Sequence, residues 1–240
     1  MKHWHSQITI VGAAVESPQN VWAFSGLGGL VEHYNGHRWL GVRVASGVNW
    51  FDSARTLPGG EVWALADAGG GEEVVTGKPI GSGYSWTTTQ LTGYQSGNSG
   101  SDPLTSIVPV SPTDVWALGG GLRIVKGHDH WYPLAAHWNG SAWQRVRVSG
   151  RFILGAAAAS DGHGGLWVTT GWDSTGIPPH LLHFAHGMFT KVSLPPRDGR
   201  YVGVFGLARI PGSTSVWGAG ALTGLGSAGP NTGLILKYGR

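Results

Sequence analysis

Three tryptophans, Trp50, Trp131 and Trp172, stand beside polar residues in segments that predict loops. An indole face stacks on the apolar C–H face of a sugar ring, and polar groups beside it bond the hydroxyls. The alternative is that these tryptophans only pack beneath long loops. The predicted ligand-binding residues are Trp50, Asp52, Asp129, His130, Trp131, Trp172, Asp173, Arg200 and Tyr201.

Carboxylates in the same kind of segment offer a catalytic alternative. A glycosidase needs two carboxyl groups roughly 5–10 Å apart across the scissile bond. Spacing along the chain does not show whether two of them meet, and Asp52 alone is well placed to lie on an inner strand. Catalytic residues therefore stay unassigned, and a non-catalytic role is favoured. The candidate acids are Asp52, Asp102, Asp129, Asp173 and Asp198.

The segment His128-Asp129-His130 raises the question of a metal site. In a strand, residues i and i+2 point the same way, so both imidazoles could reach one ion. The segment reads as a loop, however, and no third ligand follows at a recognisable spacing. We therefore predict neither a metal site nor a cofactor. The Gly-rich stretches precede no helix, which also argues against a phosphate-binding loop.

Composition excludes several classes of protein. The chain of 240 residues holds 42 glycines and 13 tryptophans, and only 12% of it is charged. A disordered chain is poor in aromatic residues and rich in charge, and no apolar run is long enough to cross a bilayer. The net charge of +3 comes from scattered residues, so no basic tail suggests nucleic-acid binding. With no cysteine, disulfides are excluded.

The elements that position the candidate residues follow from a fivefold repeat. Each unit has a polar turn followed by an anchor tryptophan within a short apolar run, a pattern typical of a hairpin entering a buried strand. The repeat averages about 48 residues, the size of a four-stranded propeller blade. We therefore predict an all-β, five-bladed β-propeller of four-stranded antiparallel blades. The anchors are Trp22, Trp63, Trp116, Trp167 and Trp217.

A second recurring element reads His-aromatic and then, in two units, Asn-Gly at Asn35-Gly36 and Asn139-Gly140. Asn-Gly predicts a tight hairpin turn, and the second unit lacks the His-aromatic pair. The histidines face away from the aromatic residues, which predicts a solvated structural role. The last unit stops after a third strand, and residues 1–10 match a fourth. The first strand is thus expected to complete the last blade and close the ring, making residues 1–240 one domain.

The repeats resemble a known family. Ser111–Leu118, read as Ser-Pro-Thr-Asp-Val-Trp-Ala-Leu, and the later His137–Trp143 resemble a Trp-rich, kelch-like repeat of bacterial propellers. Ser160–Trp167 resembles the Asp-box turn of sialidase-type propellers. The resemblance implies a propeller and, since such repeats are familiar from extracytoplasmic proteins, an extracellular or extracytoplasmic location, although a cytoplasmic one stays open. It implies no single activity.

We accordingly predict a non-catalytic propeller that binds a small polar ligand, most plausibly a carbohydrate, on aromatic loops of one face. A glycoside hydrolase or lyase is the first alternative. A protein-interaction or sensor domain is the second, so a protein partner stays open. Neither a nucleic acid nor a membrane span is expected.

Overall fold

The computed structural model describes residues 9–26, 28–44, 47–69, 71–94, 103–148, 152, 154–171, 180–192, 194, 196–197, 199–223 and 232–239. Of residues 129, 155, 156 and 223 it describes only the backbone. Within these ranges the chain forms nineteen β-strands. No helix in the described ranges has the length and apolarity needed to span a membrane.

The strands group into five antiparallel sheets, one for each predicted blade. Blade 1 holds β1 (Ile10–Ser17), β2 (Asn20–Ser25), β3 (Val31–Tyr34) and β4 (Trp39–Val42). Blade 2 holds β5 (Trp50–Thr56), β6 (Val62–Asp67), β7 (Glu72–Ile80) and β8 (Gly83–Gln90). Blade 3 holds β9 (Leu104–Ser111), β10 (Asp114–Val125), β11 (His128–Trp138) and β12 (Trp143–Val146). Blade 4 holds β13 (Leu154–Ser160), β14 (Leu166–Thr170), β15 (Leu181–Ala185) and β16 (Met188–Val192). Blade 5 holds β17 (Tyr201–Arg209), β18 (Val216–Thr223) and β19 (Thr232–Tyr238).

The blades stand in a ring around a central channel, as a five-bladed propeller requires. The first strand of each blade is innermost, and together these strands line a cavity of about 320 Å³. The all-β, five-bladed prediction is therefore confirmed. Of the N-terminal residues predicted to add the fourth strand of blade 5 and close the ring, residues 1–8 lie outside the described residues, whereas Ile10 begins β1 of blade 1.

Aromatic residues join each blade to the next in one direction. Trp22 of blade 1 contacts Tyr84 and Trp86 of blade 2, at ring-centroid distances of 4.7 and 5.1 Å. Trp116 of blade 3 contacts Phe184 of blade 4 in the same way, at 4.6 Å. These contacts lie inside apolar clusters that span neighbouring blades. The anchor tryptophans of blades 1 to 4 are therefore buried against the following blade, which explains why these repeats need one.

The recurring histidines belong to the same architecture. His33, His137 and His183 stack on the anchor tryptophans of their own blades at 4.0–4.3 Å between ring centroids. Their Nε2 atoms lie 2.8–2.9 Å from Asn20, Asp114 and Asp161 of the turns before the anchors. The prediction that these histidines lie on a solvated face is therefore incomplete, because each ring is half-buried between a tryptophan and a turn side chain. As predicted, blade 2 lacks this unit and has Thr76 opposite Trp63.

Blade 5 differs from the others at its anchor. Trp217 is 48% exposed, whereas the other four anchors are buried. With Leu207 and Ile235 it lines an apolar groove of about 580 Å³ on one side of the blade. Phe205 is also exposed nearby on β17. The flank of blade 5 that carries Trp217 is therefore uncovered by the residues that the structure describes.

Candidate functional site

The loop face is the end of the ring at which the inner strands begin and the second strands end. In blade 2, Trp50 begins β5 and lies opposite Asp67, the last residue of β6. Asp67 in turn lies opposite Glu72, the first residue of β7. A bulge between Phe51 and Ser53 shifts the register at Asp52. Three carboxyl groups and one tryptophan thus meet on the loop face of blade 2.

Trp50 is held in place by its two neighbours. Its indole N–H donates a hydrogen bond to the Asp52 carboxylate. Its ring lies beside Gly26 of blade 1, where a Cβ atom would be 3.5 Å from the indole carbons. That distance is an ordinary van der Waals contact, whereas the same Cβ would overlap Val11 Cγ1 at 2.6 Å. Trp50 is nevertheless 41% exposed, so it presents a fixed apolar surface to solvent.

Glu72 is the most buried of the three acids, at 1% exposure. Its Oε1 accepts a hydrogen bond from the backbone N–H of Leu104 at 3.4 Å. Its Oε2 is buried and has no hydrogen-bond partner among the described residues. Burial, followed by the negative charges of Asp52 and Asp67, raises the pKa of Glu72 to about 8. Glu72 therefore carries its proton at neutral pH.

Asp52 titrates at a lower pH than Glu72. Burial and the neighbouring Asp67 raise its pKa to about 6, and the hydrogen bond from Trp50 offsets part of that rise. Oδ1 of Asp67 accepts the backbone N–H of Gly69 at 3.0 Å, which fixes the third carboxyl in the turn after β6. The cluster therefore combines a proton donor with a group that ionises near pH 6. Strongly shifted acids of this kind concentrate at functional sites.

Sequence reasoning included Asp52 and missed Asp67 and Glu72. Asp67 ends the apolar run that follows the anchor Trp63. The strand that carries the anchor ends on the loop face, so the sequence indicates that Asp67 lies there. That signal was present in the sequence. The near-complete burial of Glu72 against the start of β9 was not, because it depends on the packing of blade 2 against blade 3.

The predicted residues Asp129, His130 and Trp131 lie on β11, so the expectation of a loop is wrong. Strands β10 and β11 form a long hairpin that extends past Leu104, the start of the neighbouring inner strand. Its two-residue turn is Lys126-Gly127, with φ values of 53° and 78°. Such a turn matches the twist of paired strands, which allows the hairpin to continue.

Within this hairpin, His130 lies opposite Arg123 and the half-buried Trp131 lies opposite Leu122. The side chain of Asp129 lies outside the described residues. Across the described side chains, no group of three or more His, Asp or Glu residues is arranged to hold a metal ion.

The remaining predicted residues divide into two groups. Arg200 and Tyr201 lie at the start of β17, also on the loop face, where the Arg200 guanidinium donates to the Thr232 hydroxyl at 3.2 Å. Trp172 and Asp173, together with the alternative acids Asp102 and Asp198, lie outside the described residues. Of the predicted set, the structure brings Trp50 and Asp52 into direct contact.

Comparison with known proteins gives structural neighbours but no family. No known protein family matches the chain, and no curated protein matches it either. The prediction of a Trp-rich, kelch-like family therefore has no support from family comparison. Similarity is found among solved structures.

One neighbour is YCF48 bound to D1 peptide, with a TM-score of 0.55 and 12% identity over 95% of this chain and 68% of that one. The SapL1 lectin in complex with alpha methyl fucoside has a TM-score of 0.58 and 12% identity over 95% and 78%. The extracellular domain of BT4673 from B. thetaiotaomicron has a TM-score of 0.56 and 10% identity. That match covers 91% of this chain, which spans about a quarter (27%) of the BT4673 chain.

At these identities the likeness establishes the fold alone. The class defined by the strand order and by these neighbours is the β-propeller, with five blades. Fold does not specify activity, so the function has to be argued from the site.

Proposed function

We propose that this protein is a non-catalytic binding module that holds a carbohydrate, or a similar small polar ligand, on its loop face. The observation that carries the proposal is the exposed Trp50 fixed between Gly26 and the Asp52 carboxylate. An aromatic ring that is already oriented loses little conformational freedom when a sugar stacks on it. The other contacts proposed are those predicted from the sequence: Asp129, His130, Trp131, Trp172, Asp173, Arg200 and Tyr201.

The acidic cluster determines which ligands suit the loop face. Ionised carboxylates accept hydrogen bonds from hydroxyl groups, and a protonated Glu72 adds no charge beside Asp52. A neutral, hydroxyl-rich sugar meets both requirements. A carboxylate-bearing sugar does not, because Asp52 and Asp67 would repel it. We therefore expect neutral glycans on this face.

The known neighbours are compatible with a binding role. YCF48 is described as bound to a peptide and SapL1 as bound to a fucoside, which supports ligand binding as a common use of propellers. Because the matched BT4673 structure is that of an extracellular domain, we also propose an extracytoplasmic location for this protein.

The test uses a neutral-glycan array followed by titration calorimetry of the best ligand. We expect the triple replacement of Trp50, Trp131 and Trp172 by alanine to abolish binding, and Trp50→Ala alone to weaken it about tenfold or more. Trp217→Ala is the matched control, since Trp217 is similarly exposed but lies on the flank of blade 5. Binding that survives the triple replacement, or that falls equally in the control, would disprove the proposal.

A second candidate function is supported by the carboxyl cluster. A proton donor with a pKa of about 8 beside an acid with a pKa of about 6 is a combination used in general acid–base hydrolysis. The near-complete burial of Glu72 weighs against its direct contact with a substrate. Chromogenic neutral glycosides, assayed with the wild-type protein, Asp52→Asn and Glu72→Gln, separate the two functions. Turnover that both variants abolish would favour the hydrolase.

A further inference from the structure

A cleft of about 430 Å³ lies between blades 2 and 3. Its lining residue Leu91 donates a backbone hydrogen bond to Glu72 at 2.8 Å, but no side chain of the acidic cluster lines the cleft. Its volume falls in the range of roughly 300–1,000 Å³ typical of small-molecule sites. Blade 2 contributes the end of β8 and the segment after it, and blade 3 contributes β11, β12 and the turn between them. The main lining residues are Gln90, Tyr94, Trp138, Trp143, Gln144 and Arg145.

The cleft exists because the aromatic contact between these two blades is wide. Trp63 of blade 2 lies 6.4 Å from Trp138 and 6.5 Å from Trp143, measured between ring centroids. The equivalent contacts between blades 1 and 2 and between blades 3 and 4 are 4.6–5.1 Å. The two tryptophans of blade 3 are themselves 6.0 Å apart. Their rings are therefore only half-buried by blade 2, and their remaining surface faces the cleft.

The aromatic walls are fixed by hydrogen bonds to the backbone. The Trp138 indole N–H donates to the carbonyl of Pro112 at 3.2 Å. The buried Tyr94 hydroxyl donates to the carbonyl of Ala135 at 2.8 Å. A ligand that enters the cleft would not have to order these side chains, and such pre-organisation favours binding.

Polar groups complete the lining of the cleft and give it a positive charge. Thr89 lies opposite Val74 in the strand pairing, on the face toward blade 3, and its exposed hydroxyl can both donate and accept. Gln144, in contrast, lies opposite His137 on the face toward blade 4. The Arg145 guanidinium lies 5.5 Å from the centre of the Tyr94 ring, in cation–π geometry. Among the residues that the structure describes as lining the cleft, Arg145 carries the one formal charge. Glu73, opposite Gln90 in the strand pairing, is a neighbouring carboxyl that does not line the cleft.

We propose that this cleft is a second binding site and that it takes a carboxylate-bearing saccharide, such as a uronic acid unit. The tryptophans would contact the apolar face of the ring, and the Thr89 hydroxyl would bond one of its hydroxyls. Arg145 would pair with the carboxylate, for which a guanidinium has the matching geometry. The charge preference is the reverse of that on the loop face, so the two sites bind different sugars.

The experiment is titration calorimetry of the whole chain with a galacturonic acid tetramer and with its methyl ester. We expect the acid to bind, the ester to bind about tenfold more weakly or worse, and Arg145→Gln to lower affinity for the acid by a similar factor. Thr89→Val, which removes the hydroxyl and keeps the shape of the side chain, should weaken binding of both forms. Arg147→Gln is the matched control, because it removes the same charge from an exposed residue two positions along that does not line the cleft.

Three results would overturn the assignment. These are no binding of the acid at millimolar concentration, equal binding of acid and ester, and equal losses in Arg145→Gln and Arg147→Gln. Trp50→Ala separates this site from the loop face. Loss of acid binding in Trp50→Ala with none in Arg145→Gln would move that ligand to the loop face, and the cleft assignment would fail. Loss of neutral-glycan binding alone in Trp50→Ala would leave both proposals standing.

Discussion

Glu72→Gln will make the protein more stable than the wild type in alkaline solution. Ionising the wild-type side chain places an unpaired charge among buried groups and beside Asp52, whereas glutamine stays neutral at every pH. The amide oxygen can still accept the N–H of Leu104, so the one described side-chain hydrogen bond of Glu72 is kept. The variant tests whether the acid is protonated in the folded protein.

The size of the effect follows from linkage. The folded pKa of about 8 stands against an ordinary value of 4.5, and each pKa unit corresponds to about 1.36 kcal/mol. The full cost of ionisation is therefore about 5 kcal/mol. Between pH 4.5 and 8 the folded protein holds a proton that the unfolded chain has released, so wild-type stability falls as the pH rises through this window. From pH 5 to pH 9 the loss attributable to Glu72 is about 4 kcal/mol.

Urea unfolding of both proteins, followed by intrinsic fluorescence at a series of pH values, measures the difference. We expect the two free energies of unfolding to be similar near pH 5 and the variant to gain steadily toward pH 9. Glu73→Gln is the control at the adjacent, less buried position, where we expect a much smaller gain. A difference between Glu72→Gln and wild type that does not change with pH would refute the assignment of a neutral, buried Glu72.

Three further predictions concern the architecture. Trp116→Ala should lower the free energy of unfolding by about 3–5 kcal/mol, as for a large core side chain. Trp217→Ala should lower it by about 1 kcal/mol or less, since Trp217 is half-exposed. Equal losses in urea unfolding would contradict the one-directional packing. Gly119→Ala should cost about 1–3 kcal/mol, because its Cβ would overlap the Pro103 carbonyl, whereas Gly41→Ala, with open space around it, should change the melting temperature little. Asp161→Asn should cost about 2 kcal/mol at pH 7 and progressively less as the pH falls below 3.8, the ordinary pKa of an aspartate. Burial opposes ionisation of Asp161, but hydrogen bonds from two backbone N–H groups and from a histidine lower its pKa, so the stability it adds is lost as the pH falls through that lowered value. A cost independent of pH in acid unfolding would exclude an ionised Asp161.

The repeat made the fold predictable. Each anchor tryptophan marks a strand that the next blade must cover, and five such marks at similar intervals leave few alternatives to a ring. The turn asparagines Asn35 and Asn139 were also informative, because each is followed by a glycine with positive φ in the structure. Their loops span four residues, closed by the asparagine Oδ1, rather than the expected two.

The site was only partly predictable. Trp50 and Asp52 were identifiable because the repeat does not require them. The clustering of Asp67 and Glu72 with Asp52 depends on strand register, and their pKa values depend on burial, neither of which a linear pattern contains. The hairpin before Trp131 carried an overlooked signal, since the β-branched residues Ile124 and Val125 favour a strand. The cleft beside Trp143 depends on a difference of about 1.5 Å between blade interfaces, which no sequence pattern reveals.

The one-directional contact of Trp22 with Tyr84 and Trp86 gives each blade two unlike flanks. One flank projects an indole, and the other offers the aromatic pair that receives it. Two blades of this kind pack together in one orientation only, with the indole of one against the aromatic pair of the next. The order of blades around the axis must then follow the order of repeats along the chain. Duplicating one repeat would bring both halves of a new joint with it, so an added blade would already carry matching contact surfaces for both of its neighbours.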